Sequence, residues 1–216
     1  MTNHPDYQPD QYWEDRGGPA YKSYTESAPY AQYKDAQEAF FRRLLADVQP
    51  QRMLDFGCGS GKSFPLWADV PEVHGYDRSR SQIEVARTEA RGLRSANPYQ
   101  LMHCLTGERT EVPYDDGYFD LVAVIEVLLH VLPEEIDALM DELHRICRDY
   151  LVIVTAAPFD NPAAHNFNHD YPGLLKDRFD IVDDHVVLQQ RYIVARKLPV
   201  ATAGHAHAEA ELVSAN

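Results

Sequence analysis

The stretch LDFGCGSGKS, residues 54–63, carries signals of two different nucleotide-binding loops. A phosphate loop needs a glycine, four residues and then Gly-Lys-Ser or Gly-Lys-Thr. Counting back from Gly61 places Phe56 where that first glycine should be. A dinucleotide turn needs the spacing GxGxxG, whereas Gly57, Gly59 and Gly61 alternate with other residues. Each assignment therefore fails by one position, and another ligand has to explain the loop.

The overall composition excludes several classes of protein. The 216 residues carry 20 Lys and Arg against 34 Asp and Glu, a net charge of -14, which disfavours a nucleic-acid partner. The three cysteines have no CxxC spacing, so a disulfide framework and a metal site are not expected. No apolar run approaches the length of a membrane span. We expect a cytoplasmic protein without membrane partners, either a monomer or a homodimer.

Strand and helix patterns alternate along the chain, which predicts an α/β fold with a parallel sheet and helices on both faces. The predicted strands cover 52–56, 72–77, 99–105, 118–129 and 150–156, and the predicted helices cover 35–48, 63–70, 79–92 and 133–149. Ser79 is suited to cap the third helix and Gly92 to stop it. The two β-rich runs in 179–197 are too close for a crossover helix, so they predict an antiparallel hairpin.

Composition divides the chain into three parts. Residues 1–34 form a Tyr-rich N-terminal extension, 35–198 the main domain, and 199–216 a tail that we expect to be flexible. The aromatic residues of the extension predict that it packs against the core, closes over a ligand pocket as a lid, or does both. The two histidines of the tail are more simply explained as ordinary polar residues than as metal ligands.

The order D-x-G-x-G-x-G, formed by Asp55 and the three glycines, resembles motif I of the class I S-adenosylmethionine-dependent methyltransferases of the small-molecule type. Two further segments agree with that family. Asp77 ends the second predicted strand, where a carboxylate can accept both ribose hydroxyls. The stretch TGERTEVPYDDGYFDLV, 106–122, is similar to the family pattern GDAxxLPFxDxxFD. Arg78 departs from the family, which often has an apolar residue there. The resemblance extends from about residue 35 to 197.

This resemblance implies a Rossmann-like, doubly wound seven-stranded sheet of order 3-2-1-4-5-7-6 with the last strand antiparallel. It also implies S-adenosyl-L-methionine as cofactor and places Glu108 at the adenine amino group. The residues expected to bind the cofactor are Asp55, Gly57, Cys58, Gly59, Gly61, Asp77, Arg78, Glu108, Arg109, Ile125 and Glu126. Methyl transfer by alignment of acceptor and donor needs no metal, and none is expected.

The acceptor is expected to be a small molecule, with O-methylation preferred to N-methylation because histidines occur near the predicted site. His130 and His169 are the candidate general bases, and Glu126 is a further one. Tyr12, Trp13, Tyr24, His165, Asn166, Asn168 and Tyr171 are the candidate substrate-binding residues. Two alternatives stay open, a methyltransferase acting on a macromolecule and a cofactor-binding protein with a regulatory or non-transfer role.

Overall fold

The computed structural model describes residues 7–17, 28–96, 100–108, 110–158 and 163–199, with the backbone alone at 28–31 and 95–96. One sheet contains the strands β1 (Arg52–Phe56), β2 (Glu72–Asp77), β3 (Leu101–Thr106), β4 (Phe119–Ile125), β5 (Cys147–Ala156), β6 (Phe179–Val187) and β7 (Gln190–Lys197). Their order is β3-β2-β1-β4-β5-β7-β6. Strand β7 is antiparallel to both of its neighbours, and the other pairings are parallel. The predicted sheet order and terminal hairpin are confirmed.

The helices in the described residues are α1 (Pro9–Arg16), α2 (Ala28–Val48), α3 (Arg80–Ala96), α4 (Ile136–Ile146) and α5 (Tyr171–Leu175). Short 3₁₀ turns follow β1 and β4, at Phe64–Trp67 and Leu128–His130. No described helix is long and apolar enough to cross a membrane. The three cysteines of the chain are free thiols, as their spacing predicted.

Alternate residues along the central strands face two different apolar layers, as a sheet covered on both faces requires. Leu54 and Phe56 of β1 pack toward α4 and α5, whereas Met53 packs toward α2 and α3. The same alternation places Val122 and Val124 on the first face. The predicted helices on both faces are confirmed. Because β1, β2 and β4 are parallel, their carboxyl ends lie at one edge of the sheet.

Several element boundaries differ from the sequence-based expectation. The segment 63–70 forms only a 3₁₀ turn, because Phe64 and Trp67 are both drawn into the core beside Pro65, which donates no backbone hydrogen bond. Gly92 does not stop α3, which continues to Ala96. Since a Cβ at Gly92 would meet nothing within 4 Å, the glycine costs only helix propensity there.

Other elements also differ from the prediction. Helix α2 begins at Ala28, so it crosses the expected boundary between residues 34 and 35, and α1 was not foreseen at all. Strand β4 ends at Ile125 because the next residue, Glu126, has a φ of 55°. Ser79, by contrast, caps α3 as expected, since its Oγ accepts a hydrogen bond of 3.2 Å from the Gln82 amide.

Arg145 of α4 fixes the long connection between β3 and β4. Its guanidinium donates to the Val112 carbonyl at 3.0 Å, to the Tyr114 carbonyl at 2.6 Å and to both carboxylate oxygens of Glu142 at 2.7 Å. Glu142 in turn accepts from the Val112 amide at 2.6 Å. The buried acid and the arginine therefore satisfy each other and hold the middle of this connection against α4.

Replacing Arg145 should destabilise the protein. In Arg145→Ala the carboxylate of Glu142 stays buried without its cation, and two backbone carbonyls lose their donor, so we expect the free energy of unfolding to fall by about 2–3 kcal/mol. Urea unfolding measures this change. The matched control Arg94→Ala removes an exposed arginine of α3 and should stay within about 0.5 kcal/mol of the parent. Equal stability of the two variants would contradict the role assigned to Arg145.

Candidate active site

The loop after β1 follows a left-handed backbone that glycine adopts without strain. Gly57, Gly59 and Gly61 have φ angles of 73°, 53° and 79°. The amides of Gly57 and Cys58 both donate to the Tyr76 carbonyl, at 2.7 and 3.1 Å. A Cβ at Gly57 would overlap the Val127 side chain, whereas a Cβ at Gly59 would meet no protein atom within 4 Å. The loop thus packs tightly at its first glycine and opens at its second.

Asp55 lies at the carboxyl end of β1 with 2% of its surface exposed. Its Oδ2 accepts a hydrogen bond of 2.9 Å from the Trp67 indole. Burial raises the pKa of Asp55 to about 7; the nearby Asp77 adds to this rise and the bond from Trp67 opposes it. A cation bound beside Asp55 would favour the ionised carboxylate and repay part of its burial cost.

Asp77 lies at the carboxyl end of β2, next to the glycine loop. Its Oδ2 accepts from the Gly59 amide at 2.9 Å, and its Oδ1 accepts from the Ser79 amide at 2.9 Å. These two bonds fix the carboxylate between the loop and the start of α3. The two acids predicted from sequence, Asp55 and Asp77, are therefore neighbours at one edge of the sheet.

Both acids line a cavity of about 1820 Å³ among the described residues. Of the residues expected to bind the cofactor, those that line it are Asp55, Gly57, Cys58, Gly59, Gly61, Asp77, Arg78, Ile125 and Glu126. Glu108 is not among the lining residues; it is exposed, and its carbonyl accepts from the Tyr76 hydroxyl at 2.8 Å. Arg109 lies outside the described residues.

One wall of the cavity is aromatic and brings distant parts of the chain together. Trp13 of α1 lies against His130, with ring centroids 4.8 Å apart, and Tyr12 lies against His165 at 4.8 Å. The His130 and His165 rings stack at 5.3 Å. These four side chains and Asn166 all line the cavity. We call the four rings the aromatic wall.

The hydrogen bonds of the two candidate bases indicate their tautomers. His130 Nδ1 is 2.9 Å from the His165 carbonyl, which can only accept, so Nδ1 carries the proton and Nε2 has the lone pair. His169 Nε2 likewise donates to the Val131 carbonyl at 3.1 Å. His130 lines the cavity, whereas His169 is not among the residues that line it.

The remaining candidate substrate-binding residues are not among those that line the cavity, or they lie outside the described residues. Tyr171 is buried, and its hydroxyl is 3.1 Å from the Thr155 hydroxyl. Asn168 is exposed and is not a lining residue. Tyr24 and the tail from 200 to 216 lie outside the described residues.

Helix α1 connects the aromatic wall to the loop that follows β2. Asp10 forms an ion pair with Arg78, and the Glu14 carboxylate accepts from the Ser79 hydroxyl at 2.9 Å. The Tyr7 hydroxyl, just before the helix, donates to the His130 carbonyl at 3.0 Å. The described start of the extension therefore packs its rings against the domain, beside the cavity.

Sequence reasoning missed a polar group elsewhere in the lining of the cavity. Gln190, the first residue of β7, donates to the Glu126 carboxylate at 2.7 Å and accepts from Gln37 of α2 at 3.1 Å. Burial raises the pKa of Glu126 to about 7, against the opposing effects of Gln190 and Lys62. No motif in the sequence marks Gln190, because Glu126 and Gln37 come from two segments far from it in the chain.

Comparison with known proteins agrees with this arrangement. Residues 54–153 match a family described as a methyltransferase domain. The matched segment is a little under half of the chain, and it agrees with the predicted resemblance to the class I S-adenosylmethionine-dependent methyltransferases. The match begins in β1 and ends in β5, so it includes the glycine loop, Asp77 and the end of β4.

Individual relatives show how far the similarity reaches. The chain is 32% identical to the O-methyltransferase cnsE of Penicillium expansum over 56% of this chain and 41% of that protein. Magnesium protoporphyrin IX methyltransferase of Synechocystis PCC 6803 with bound SAH shares the fold at a TM-score of 0.70 and 18% identity, covering 87% and 99% of the two chains. The [4+2]-cyclase SpnF shares the fold at a TM-score of 0.64 and 17% identity, and the similarity covers 80% of this chain and 85% of that one. The chain spans 30% to 62% of the length of the curated relatives it matches.

The raised pKa of Asp55 predicts that binding of the expected cofactor by this protein depends on pH. A cationic ligand favours the ionised carboxylate, and a group of pKa about 7 loses most of its charge between pH 7 and pH 6. We therefore expect Asp55 to lower the affinity for S-adenosylmethionine by up to about fivefold over that interval. Calorimetric titration at several pH values measures it.

Two variants assign this pH dependence to its source. Asp55→Asn should reduce the change of affinity with pH to the contribution of Glu126. Asp69→Asn, at the exposed rim of the cavity, should show the same change of affinity with pH as the parent chain. An affinity that is the same at pH 6 and pH 7 in the parent chain would show that no buried carboxylate of this edge faces the cationic part of the cofactor.

Proposed function

We propose that this protein transfers a methyl group from S-adenosyl-L-methionine to an oxygen atom of a small, flat, aromatic molecule. The observation that carries the proposal is the aromatic wall, which places two histidines and two larger rings on the same cavity as Asp55 and Asp77. Flat ligands bind well between such rings because stacking adds to the burial of apolar surface.

The edge of the sheet fits the cofactor. Gly59 leaves open space where any side chain would intrude, and Asp77 presents a carboxylate fixed by two backbone amides, which suits ribose hydroxyls. Asp55 suits the cationic part of the ligand. The chemistry that the cofactor supplies when bound is a methyl group on a sulfonium, open to in-line displacement. The chain's task is then to align an acceptor and exclude water.

Helix α1 supplies one side of the proposed acceptor site. Trp13 and Tyr12 reach the cavity from this helix, and His165 and Asn166 reach it from the connection between β5 and α5. Because α1 also contacts Arg78 and Ser79 next to Asp77, the same helix touches both the proposed ribose site and the acceptor wall. We infer that the N-terminal extension acts as a lid that orders both ends of the site.

His130 is the group best placed to take a proton from an acceptor hydroxyl. The His165 carbonyl holds the Nδ1 proton and so fixes Nε2 as the basic nitrogen. An aromatic hydroxyl needs such a base at neutral pH, whereas an amine acceptor is already neutral in part. This difference supports oxygen as the accepting atom, although both O- and N-methyltransferases occur among the curated relatives.

The charges around the cavity favour a small acceptor over a nucleic acid. Among the described lining residues, the cations Arg16, Lys34, Arg42, Lys62 and Arg78 are interspersed with the acids Glu38, Asp55, Asp69, Asp77, Glu89 and Glu126. A polyanion would need a continuous basic surface, and the chain as a whole carries a charge of -14. A macromolecular acceptor is therefore the weaker alternative.

The second candidate function is a non-transfer role. It is favoured by the fold shared with the [4+2]-cyclase SpnF, because a methyltransferase fold need not transfer a methyl group. This candidate keeps cofactor binding and predicts no methylated product. Screening a panel of phenols, catechols and hydroxyquinones for S-adenosylhomocysteine and a mass gain of one methyl distinguishes the two functions.

Removal of the Asp77 charge tests the cofactor site by itself. We expect Asp77→Asn to weaken binding of both S-adenosylmethionine and S-adenosylhomocysteine by about tenfold or more, because the ribose loses a charged acceptor. Calorimetry measures both ligands, with Asp69→Asn as the control of equal charge change. If Asp77→Asn bound them as tightly as the control does, the ribose would have to contact another residue.

The base is tested by comparing the two histidines. His130→Asn should lower the turnover of a phenolic acceptor about 100-fold or more while leaving cofactor affinity within a few-fold. His169→Gln places an amide nitrogen near the position of Nε2, so it can still donate to the Val131 carbonyl and should retain most of the turnover. A larger loss of turnover in the His169 variant than in the His130 variant would assign the base to His169. Turnover that is retained equally in both variants would show that alignment of donor and acceptor is enough for transfer.

A further inference from the structure

Three side chains of metal-binding types, one glutamate and two histidines, meet on β2 and β3. Glu72 and His74 lie two residues apart on β2, so they share one face. His103 on β3 is the register partner of His74. Their nearest ligand atoms all lie within 4.8 Å of one another, and this is the one such group of three found among the described residues.

The local contacts already converge on one point. His74 Nε2 is 2.8 Å from a Glu72 oxygen, and the His74 and His103 rings stack with centroids 4.4 Å apart. His74 is buried and His103 is exposed. The exposed ring can rotate to aim a nitrogen at the other two ligands, and it leaves an open path from solvent.

Neighbouring side chains can fix the protonation of His74 and the orientation of Glu72. His74 Nδ1 is 3.0 Å from the Tyr114 hydroxyl, so a proton on Nδ1 can donate to that oxygen and leave the Nε2 lone pair directed at Glu72. Ligating histidines commonly have such a partner on the other nitrogen. The second oxygen of Glu72 is held by Arg52 at 3.0 Å. Arg52 opposes a cation by its charge but keeps the carboxylate oriented.

We propose that Glu72, His74 and His103 bind one Zn²⁺ ion, with water completing the coordination. Two imidazoles and a carboxylate are ligands that zinc accepts, whereas calcium and magnesium prefer oxygen alone. The ion takes the place of the proton between His74 Nε2 and Glu72. It joins the edge strand β3 to β2 and so stabilises the sheet.

This zinc site is separate from methyl transfer. Glu72 begins β2 and Asp77 ends it, a distance of roughly 16 Å along an extended strand. Zinc binding should therefore raise the melting temperature without changing the affinity for S-adenosylmethionine. Failure of the zinc site and failure of the proposed transfer are thus independent results.

The test is a calorimetric titration of the full chain, stripped with a chelator, with Zn²⁺ alone. We expect one ion per chain at this site, and an affinity at least tenfold weaker in His103→Ala and in Glu72→Gln. His103 is exposed, so its variant should fold, and a thermal melt without zinc checks this. Co²⁺ in place of Zn²⁺ should give a visible absorption spectrum that weakens in His103→Ala.

Two control variants test whether other histidines of the chain account for the zinc binding. His185→Ala removes a histidine whose acid partner is Asp183, 3.2 Å away, and His205→Ala with His207→Ala removes the two histidines of the tail. Both should bind zinc like the parent. No zinc binding in the parent, unchanged binding in His103→Ala, or loss of binding in the tail variant would each overturn the proposal.

Discussion

The backbone turn at the end of β1 is the constraint on which the site depends. The amides of Gly57 and Cys58 share one acceptor, the carbonyl of Tyr76 in β2, and the Gly59 amide binds the carboxylate of Asp77. The first glycine has a left-handed backbone and lies so close to Val127 that a side chain would not fit. The loop after β1 is thereby held against β2 on one side and against the end of β4 on the other. Asp55, Asp77 and the opening at Gly59 take their positions from this arrangement.

Burial gives the two sides of the cavity their chemical character. Asp55 and Glu126 are acids whose pKa is raised to about 7, because each lies away from water and has a neutral hydrogen-bond donor, Trp67 for one and Gln190 for the other. On the other side, the rings of α1 pack against His130. An uncompensated carboxylate favours a cation, and a wall of rings favours a flat neutral molecule. These two environments are the basis on which we propose separate places for the cofactor and the acceptor.

Local sequence predicted most of the fold because short-range signals and topology agree. The alternation of apolar strands and amphipathic helices specified the parallel part of the sheet, and the short separation of the last two runs specified the hairpin. The failures have local causes as well. Trp67 enters the core and leaves only a 3₁₀ turn where a helix was expected, and Gly92 lies on an exposed helix face where glycine is tolerated. Helix α1 escaped prediction because it has no buried residue, so no apolar stripe marks it.

The sequence by itself determined the glycine loop, the acid at the end of β2 and the order of the strands, since each depends on residues close together in the chain or on a resemblance carried by such residues. Only the tertiary structure decided which distant side chains meet. It placed Trp13 against His130, Gln190 against Glu126 and Trp67 against Asp55, and it separated His169 from the residues that line the cavity. The contact of Tyr12 with His165 in the aromatic wall joins residues 153 positions apart in the chain. Such pairings follow from how helices and loops pack on the finished sheet, and no periodicity or spacing along the chain encodes them.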